Sequence, residues 1–270
     1  MQLGFICNKT PADLALAQQI GYTSVELFFS MRGPGAIEFP AKDDFLRALA
    51  DTPVTVSAVA LHNDDWPISG DPGLQALSKD RFKAALELSC QLDAEVLYTG
   101  SGTDLTGTGL HPEENPEEVA DRIVETFAPR LQQATDAGRT LAFITCKTAN
   151  LVRGPGMWAR LLPHLKGMGI KYDPSHGAQD GRPYLAETAD WATHFVHVHA
   201  KDILQIGNRF HADPNPGFGQ IQWGPLFALL YEADYTGTVA VEPHSDFWVN
   251  KRREAGLRAS FGYLSQFLLD

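Results

Sequence analysis

The chain has 270 residues, 44% of them hydrophobic and 20% charged, with a formal net charge of -11. An acidic surface repels phosphate backbones, which argues against nucleic acid as a partner. No stretch approaches the roughly 20 apolar residues that span a bilayer. The three cysteines, Cys7, Cys90 and Cys146, are widely spaced and form no disulfide framework, so a reducing cytoplasm is the expected location and no membrane partner is expected.

In chain order, residues 3–6 read as a short apolar strand. Thr10-Pro11-Ala12-Asp13 then supplies a hydroxyl N-cap, a proline at the first helical position and an early acid, and Gly21 is a natural helix stop. Further strands are predicted at 23–28, 54–61, 95–98, 140–145, 169–173, 194–199 and 238–242. Helices are predicted at 43–50, within 72–92, after Asn115, and at 156–165, 184–191 and 224–233. Val119, Ile123, Phe127 and Leu131 recur at spacing four, one face of a helix that Gly138 ends. Leu257, Phe261, Leu264 and Leu268 line a closing helix. Cys90 falls inside a helix and is expected to be buried. Residues 99–112 form a long Gly/Ser/Thr-rich loop of the functional kind, without the lysine of a phosphate-binding loop. A long Pro/Gly-rich loop follows the seventh strand.

Eight strand–helix units without a composition break predict parallel pairing through right-handed crossovers. In this length they predict an α/β chain folded as a (β/α)8 TIM barrel, a single domain over residues 1–270, with its active site at the C-terminal strand ends. A doubly wound open sheet is the alternative. No dinucleotide fingerprint follows the first strand, which gives a Rossmann domain little support.

The predicted strand ends carry the chemistry. Cys7, Asn8 and Lys9 follow strand one, and Glu26 lies within strand two. His62 follows strand three, and Cys146 and Lys147 follow strand five. Asp173 and His176 come from strand six, His199, Lys201 and Asp202 from strand seven, and Glu242 and His244 from strand eight. An Asp, a His and a Glu meeting on one rim suit a divalent metal. Alternation along strand seven sends His197 and His199 to the same side, with His197 one layer lower as a core or supporting histidine. Asp202 is expected to orient Lys201 or the loop that follows.

Four stretches then stand together: Asp173-Pro174-Ser175-His176, His197-Val198-His199-Ala200-Lys201-Asp202, residues 215–223, and residues 235–244 ending in Glu242-Pro243-His244. They resemble the xylose isomerase-like barrels of sugar phosphate isomerases and epimerases, strongly over residues 170–244 and more weakly elsewhere. The resemblance implies a divalent ion (Mn, Zn or Mg) held by Asp173, His199 and Glu242. It implies His176 as a substrate contact and Arg209 as a substrate-binding arginine. In the reaction expected here Glu242 and His176 are the catalytic groups, and His62 and Lys201 are further candidate substrate contacts. The resemblance also implies a small carbohydrate substrate and a possible homodimer.

One departure bears on the reaction. Relatives hold a first metal-binding Glu on strand five, where this chain has Ile144. Two-base epimerisation uses that Glu with Glu242 on opposite faces of the substrate. The site is then a three-ligand one, completed by water, His176 or Cys146, a Cys ligand favouring zinc. Lys147 is a candidate base, or simply a solvated rim lysine. The expected reaction is metal-assisted isomerisation by enolisation, with dehydration or lyase chemistry on a keto-sugar or keto-inositol next. A metal-free sugar-binding or partner subunit is a third reading. A DNA-repair enzyme of the endonuclease IV type, drawing on His62, His211 and Asp213, is disfavoured by Ile144 and the acidic charge.

Overall fold

The computed structural model describes residues 1–146, 149–207 and 209–269. Its strands are β1 (Gln2–Cys7), β2 (Ser24–Ser30), β3 (Thr55–His62), β4 (Val96–Thr99), β5 (Thr140–Ile144), β6 (Gly169–Tyr172), β7 (Phe195–Ala200), β8 (Leu204–Ile206), β9 (Arg209–Ala212) and β10 (Thr238–Val241). The helices are α1 (Pro11–Ile20), α2 (Lys42–Ala50), α3 (Pro72–Gln91), α4 (Pro116–Asp136), α5 (Pro155–Leu161), α6 (Pro174–Gln179), α7 (Tyr184–Trp191), α8 (Trp223–Glu232) and α9 (Arg253–Leu264).

Eight strands close into a barrel in the hydrogen-bonded order β1-β10-β7-β6-β5-β4-β3-β2, and β8 and β9 form a separate two-stranded sheet. This is the TIM-barrel fold, and closure excludes the open-sheet alternative. Every residue of β4, β6 and β10 is buried, as expected of parallel strands covered on both faces. No described helix is long and apolar enough to cross a membrane.

Three local expectations change. The loop after β7 contains the hairpin β8–β9, turned at Gly207 with φ 60°. Leu268 lies beyond α9, in extended backbone. Cys90 is exposed, not buried: α3 buries Phe82, Ala85 and Leu88, and a residue two positions past Leu88 points about 200° away around the helix.

Two compact units make up the chain: residues 1–27, 41–57 and 172–270, and residues 28–40 and 58–171. In the first, Thr10 caps α1 by accepting from the Asp13 amide. Gly21 ends that helix at φ 111°, its amide donating to the Ala17 carbonyl at 3.0 Å. Tyr22 meets Phe5 and Phe261 edge-on at 5.1 and 5.0 Å and donates its hydroxyl to the Leu257 carbonyl at 2.8 Å. That hydrogen bond satisfies the polar tip of a buried ring and docks α9.

Asp202, just past β7, organises the following loop. Its carboxylate accepts from the Ile221 and Gly217 amides at 2.7 and 3.0 Å and from the Trp223 indole at 3.3 Å. Burial raises its pKa more than these donors lower it. Gly219 packs against it, since a Cβ there would sit 2.6 Å from the Asp202 Cγ. Asp202→Ala strands the buried Ile221 amide and Trp223 indole and frees the Gly217 amide, so we expect a loss of about 1–3 kcal/mol. Urea unfolding checks this, and an unchanged midpoint would rule out the pinning role.

In the second unit, Asp71 caps α3 through the Gly73 amide at 2.7 Å, and Val119, Ile123, Phe127 and Leu131 form the buried stripe of α4. Phe127 meets Phe143 edge-on at 4.9 Å. The buried Asp64 is balanced by Arg81 at 3.0 Å and by the Ser78 hydroxyl at 2.7 Å, the pairing a buried charge requires.

Candidate metal-binding site

Within the first unit, the residues after β6 and those at the ends of β7 and β10 bring Asp173, His199, Lys201 and Glu242 together. Asp173 follows β6 and caps α6, its Oδ1 accepting from the Ser175 amide at 2.9 Å and the Ser175 hydroxyl at 2.6 Å. Its other oxygen, Oδ2, is left to face cations. On β7, alternation buries His197 and His199 on the same side, with ring centroids 5.7 Å apart. The register pairs Ala240 with His199 and Val241 with Ala200, and the Glu242 amide continues the ladder to the Ala200 carbonyl at 3.0 Å. Glu242 thereby comes level with Lys201 and within reach of His199.

The contacts are close. His199 Nδ1 lies 3.1 Å from Glu242 Oε2, and His199 Nε2 lies 2.8 Å from Glu26 Oε2. Glu26, fully buried on β2, also meets His197 Nε2 at 2.7 Å. The Lys201 ammonium lies 3.2 Å from Asp173 Oδ2 and 3.1 Å from Glu242 Oε2. His176 Nε2 approaches Asp173 Oδ2 at 3.4 Å.

The charges tune one another. Burial raises the pKa of Glu26, but His199 and His197 overcome it and hold the carboxyl well below the usual range. Burial lowers the pKa of Lys201, but Asp173 and Glu242, with Asp213 beyond them, hold it above the ordinary lysine value. Asp213 itself pairs with His244 Nδ1 at 3.0 Å.

Among the described residues, two trios offer metal-donor atoms within 4.8 Å of one another: Asp173, His199 and Glu242, and Glu26, His197 and His199. The first contains the three ligands expected from the sequence. Its donors, two carboxylates and one imidazole, fit a divalent ion. The contact from Nε2 to Glu26 leaves Nδ1 facing the trio, and a carboxylate behind a histidine is how ligating imidazoles are oriented.

The other expected residues lie as follows. His62 ends β3 in the second unit, its Nε2 3.1 Å from Cys146 Sγ and its ring 4.7 Å from that of Phe28. Arg209 and His211 are exposed on β9. Ile144 is buried at the end of β5, and Lys147 lies outside the described residues. The sequence reading left two roles unassigned: Glu26 as the common partner of both histidines, and Lys201 as a cation inside the acidic cluster. The signal for the first was an acid in the apolar run of β2, which burial permits only with a partner.

Burial also separates the cysteines. It pushes the Cys7 thiol up to about 12, whereas Cys90 is exposed. Since the thiolate is the reactive form, brief alkylation of native protein near pH 8 is expected to label Cys90 and spare Cys7. Peptide mapping reads this, and equal labelling would contradict the packing around β1.

A closed parallel barrel with an Asp, a His and a Glu gathered at strand ends defines a class, and the comparisons agree with it. The family model described as xylose isomerase-like TIM barrel matches residues 14–267, and the chain belongs to that family. Among solved structures, D-psicose 3-epimerase from Clostridium cellulolyticum H10 is similar with a TM-score of 0.77 at 13% identity, covering 100% of both chains. L-ribulose 3-epimerase is similar with a TM-score of 0.75 at 16% identity, covering 99% of this chain and 94% of the other. A probable 3-DHS dehydratase of petrobactin synthesis from Bacillus anthracis is similar with a TM-score of 0.73 at 13% identity, covering 98% and 99%. A comparison with curated protein sequences found no match.

Proposed function

We propose that this protein is a divalent-metal-dependent isomerase or epimerase that acts on a sugar, sugar phosphate or polyol-derived ketone by enolisation. The observation that carries the reading is the Asp173–His199–Glu242 trio, its donor atoms within 4.8 Å and its histidine backed by Glu26. Family membership and the epimerases among its structural neighbours support the same class.

When bound, a divalent ion supplies Lewis-acid polarisation of neighbouring substrate oxygens. Asp173, His199 and Glu242 would hold it. Glu242, at the open end of β10 and less deeply buried than Asp173, accepts a proton from the carbon beside the substrate carbonyl and returns it to the neighbouring position. His176 orients substrate hydroxyls from the first turn of α6. Arg209, exposed on its hairpin, is assigned to the substrate's distal polar end.

Ile144 favours a second reading, dehydration or another lyase reaction at the same site. Such chemistry needs one base and one acid rather than two bases on opposite faces. The likeness to a dehydratase is consistent with it. Both readings pass through proton abstraction next to a carbonyl, so one experiment tests their common step. Protein loaded in turn with Mn, Mg and Zn is incubated with ketoses, ketose phosphates and keto-inositols in deuterated water. Proton NMR is expected to show exchange at the carbon beside the carbonyl, and its product separates isomerisation from dehydration. No exchange with any of the three metals would overturn the proposal.

A further inference from the structure

The acidic trio already contains a cation. Lys201 is buried, 3% exposed, and its ammonium lies 3.2 Å from Asp173 Oδ2 and 3.1 Å from Glu242 Oε2. These are the oxygens an incoming ion would need. Asp173 Oδ1 is occupied by the Ser175 amide and hydroxyl, so Oδ2 is the one directed at cations. Glu242 Oε2 is likewise the oxygen facing His199.

Two carboxylates side by side, Asp173 fully buried and Glu242 partly so, are unfavourable without a positive partner. The ammonium supplies that partner from within the chain, directly after β7, where the backbone is set by pairing with β10. A divalent ion brought to the same two oxygens would face a fixed positive charge in a site where burial weakens screening.

We infer that the Lys201 ammonium is the resident counter-ion of Asp173 and Glu242, and that a divalent ion gains full access to these carboxylates only by displacing it. Lys201 then lowers the site's metal affinity and keeps the fold stable without metal. The inference rests on the reading of the trio as a metal site, but its test separates the two.

The test compares wild type with Lys201→Met, Lys201→Gln and Lys201→Arg. Isothermal calorimetry with Mn²⁺ gives affinity, and thermal unfolding with and without EDTA gives metal dependence. Losing the charge in Lys201→Met is expected to tighten Mn²⁺ binding at least about tenfold, to lower the metal-free melting temperature, and to make Mn²⁺ restore it. Lys201→Arg, which keeps the charge, is expected not to bind more tightly than wild type. If Lys201→Met does not fold without metal, Lys201→Gln serves as the neutral variant, because its amide still donates to a carboxylate. Equal or weaker Mn²⁺ binding by the neutral variants overturns the inference and leaves the proposed function standing if wild type binds. Tight binding by the neutral variants alone supports the inference and removes metal dependence from the native reaction. If no form binds, the inference falls, and the deuterium-exchange assay decides the function independently.

Discussion

Replacing Glu242 by Gln is expected to reduce turnover by about 10²- to 10⁴-fold, the range typical of removing a positioned general acid or base. The side chain ends the β10 ladder in a fixed place, since its amide bonds to the Ala200 carbonyl at 3.0 Å. Glutamine is isosteric and can still accept from Lys201, so the strand and its packing are retained. What it lacks is the anionic oxygen, and with it proton acceptance and the negative charge of one metal donor. Circular dichroism and thermal unfolding check that the fold survives, and the deuterium-exchange rate reads the chemistry. A variant exchanging within about tenfold of wild type would be incompatible with Glu242 as the proton carrier.

Removal of Glu26 is expected to have the largest effect on stability. This carboxylate is fully buried and meets two imidazoles, at 2.7 and 2.8 Å. Glu26→Ala leaves both buried rings without that partner and opens a cavity in β2, with an expected cost of about 3–5 kcal/mol. A second consequence reaches the trio: His199 loses the group that orients it, and metal affinity is expected to fall about 10–100-fold. Chemical denaturation measures the first effect and calorimetry the second. Glu26→Gln, which preserves shape and part of the hydrogen bonding, is expected to fall between the two. If Glu26→Ala unfolded at the wild-type midpoint, the buried pairing would be contributing nothing.

The barrel was legible because its information is local. Short, largely apolar runs mark β4 and β10, and Thr10-Pro11 and Asp71-Pro72 announce the helices they cap. The hairpin β8–β9 was not legible, since its alternation, Leu204-Gln205-Ile206 and Arg209-Phe210-His211-Ala212, runs for only three and four residues inside a Pro/Gly-rich segment, too short to mark a strand. The exposure of Cys90 has a related cause. An apolar residue type suggests burial, but the side of α3 that meets the barrel is set by its neighbours.

The site divides along the same line. Its residue types and their places at strand ends are written in the chain: Asp173 after β6, His199 in β7, Glu242 after β10, and Ile144 where the resemblance implies an acid. Which of these side chains touch one another depends on strand order and register. Glu26 and His199 are 173 residues apart, and only closure of the barrel turns them toward a shared hydrogen bond. That Lys201 points between Asp173 and Glu242 was likewise decided by tertiary structure. A buried carboxylate beside a partly buried one must find a positive charge, and the register of β7 against β10 determines that this lysine supplies it.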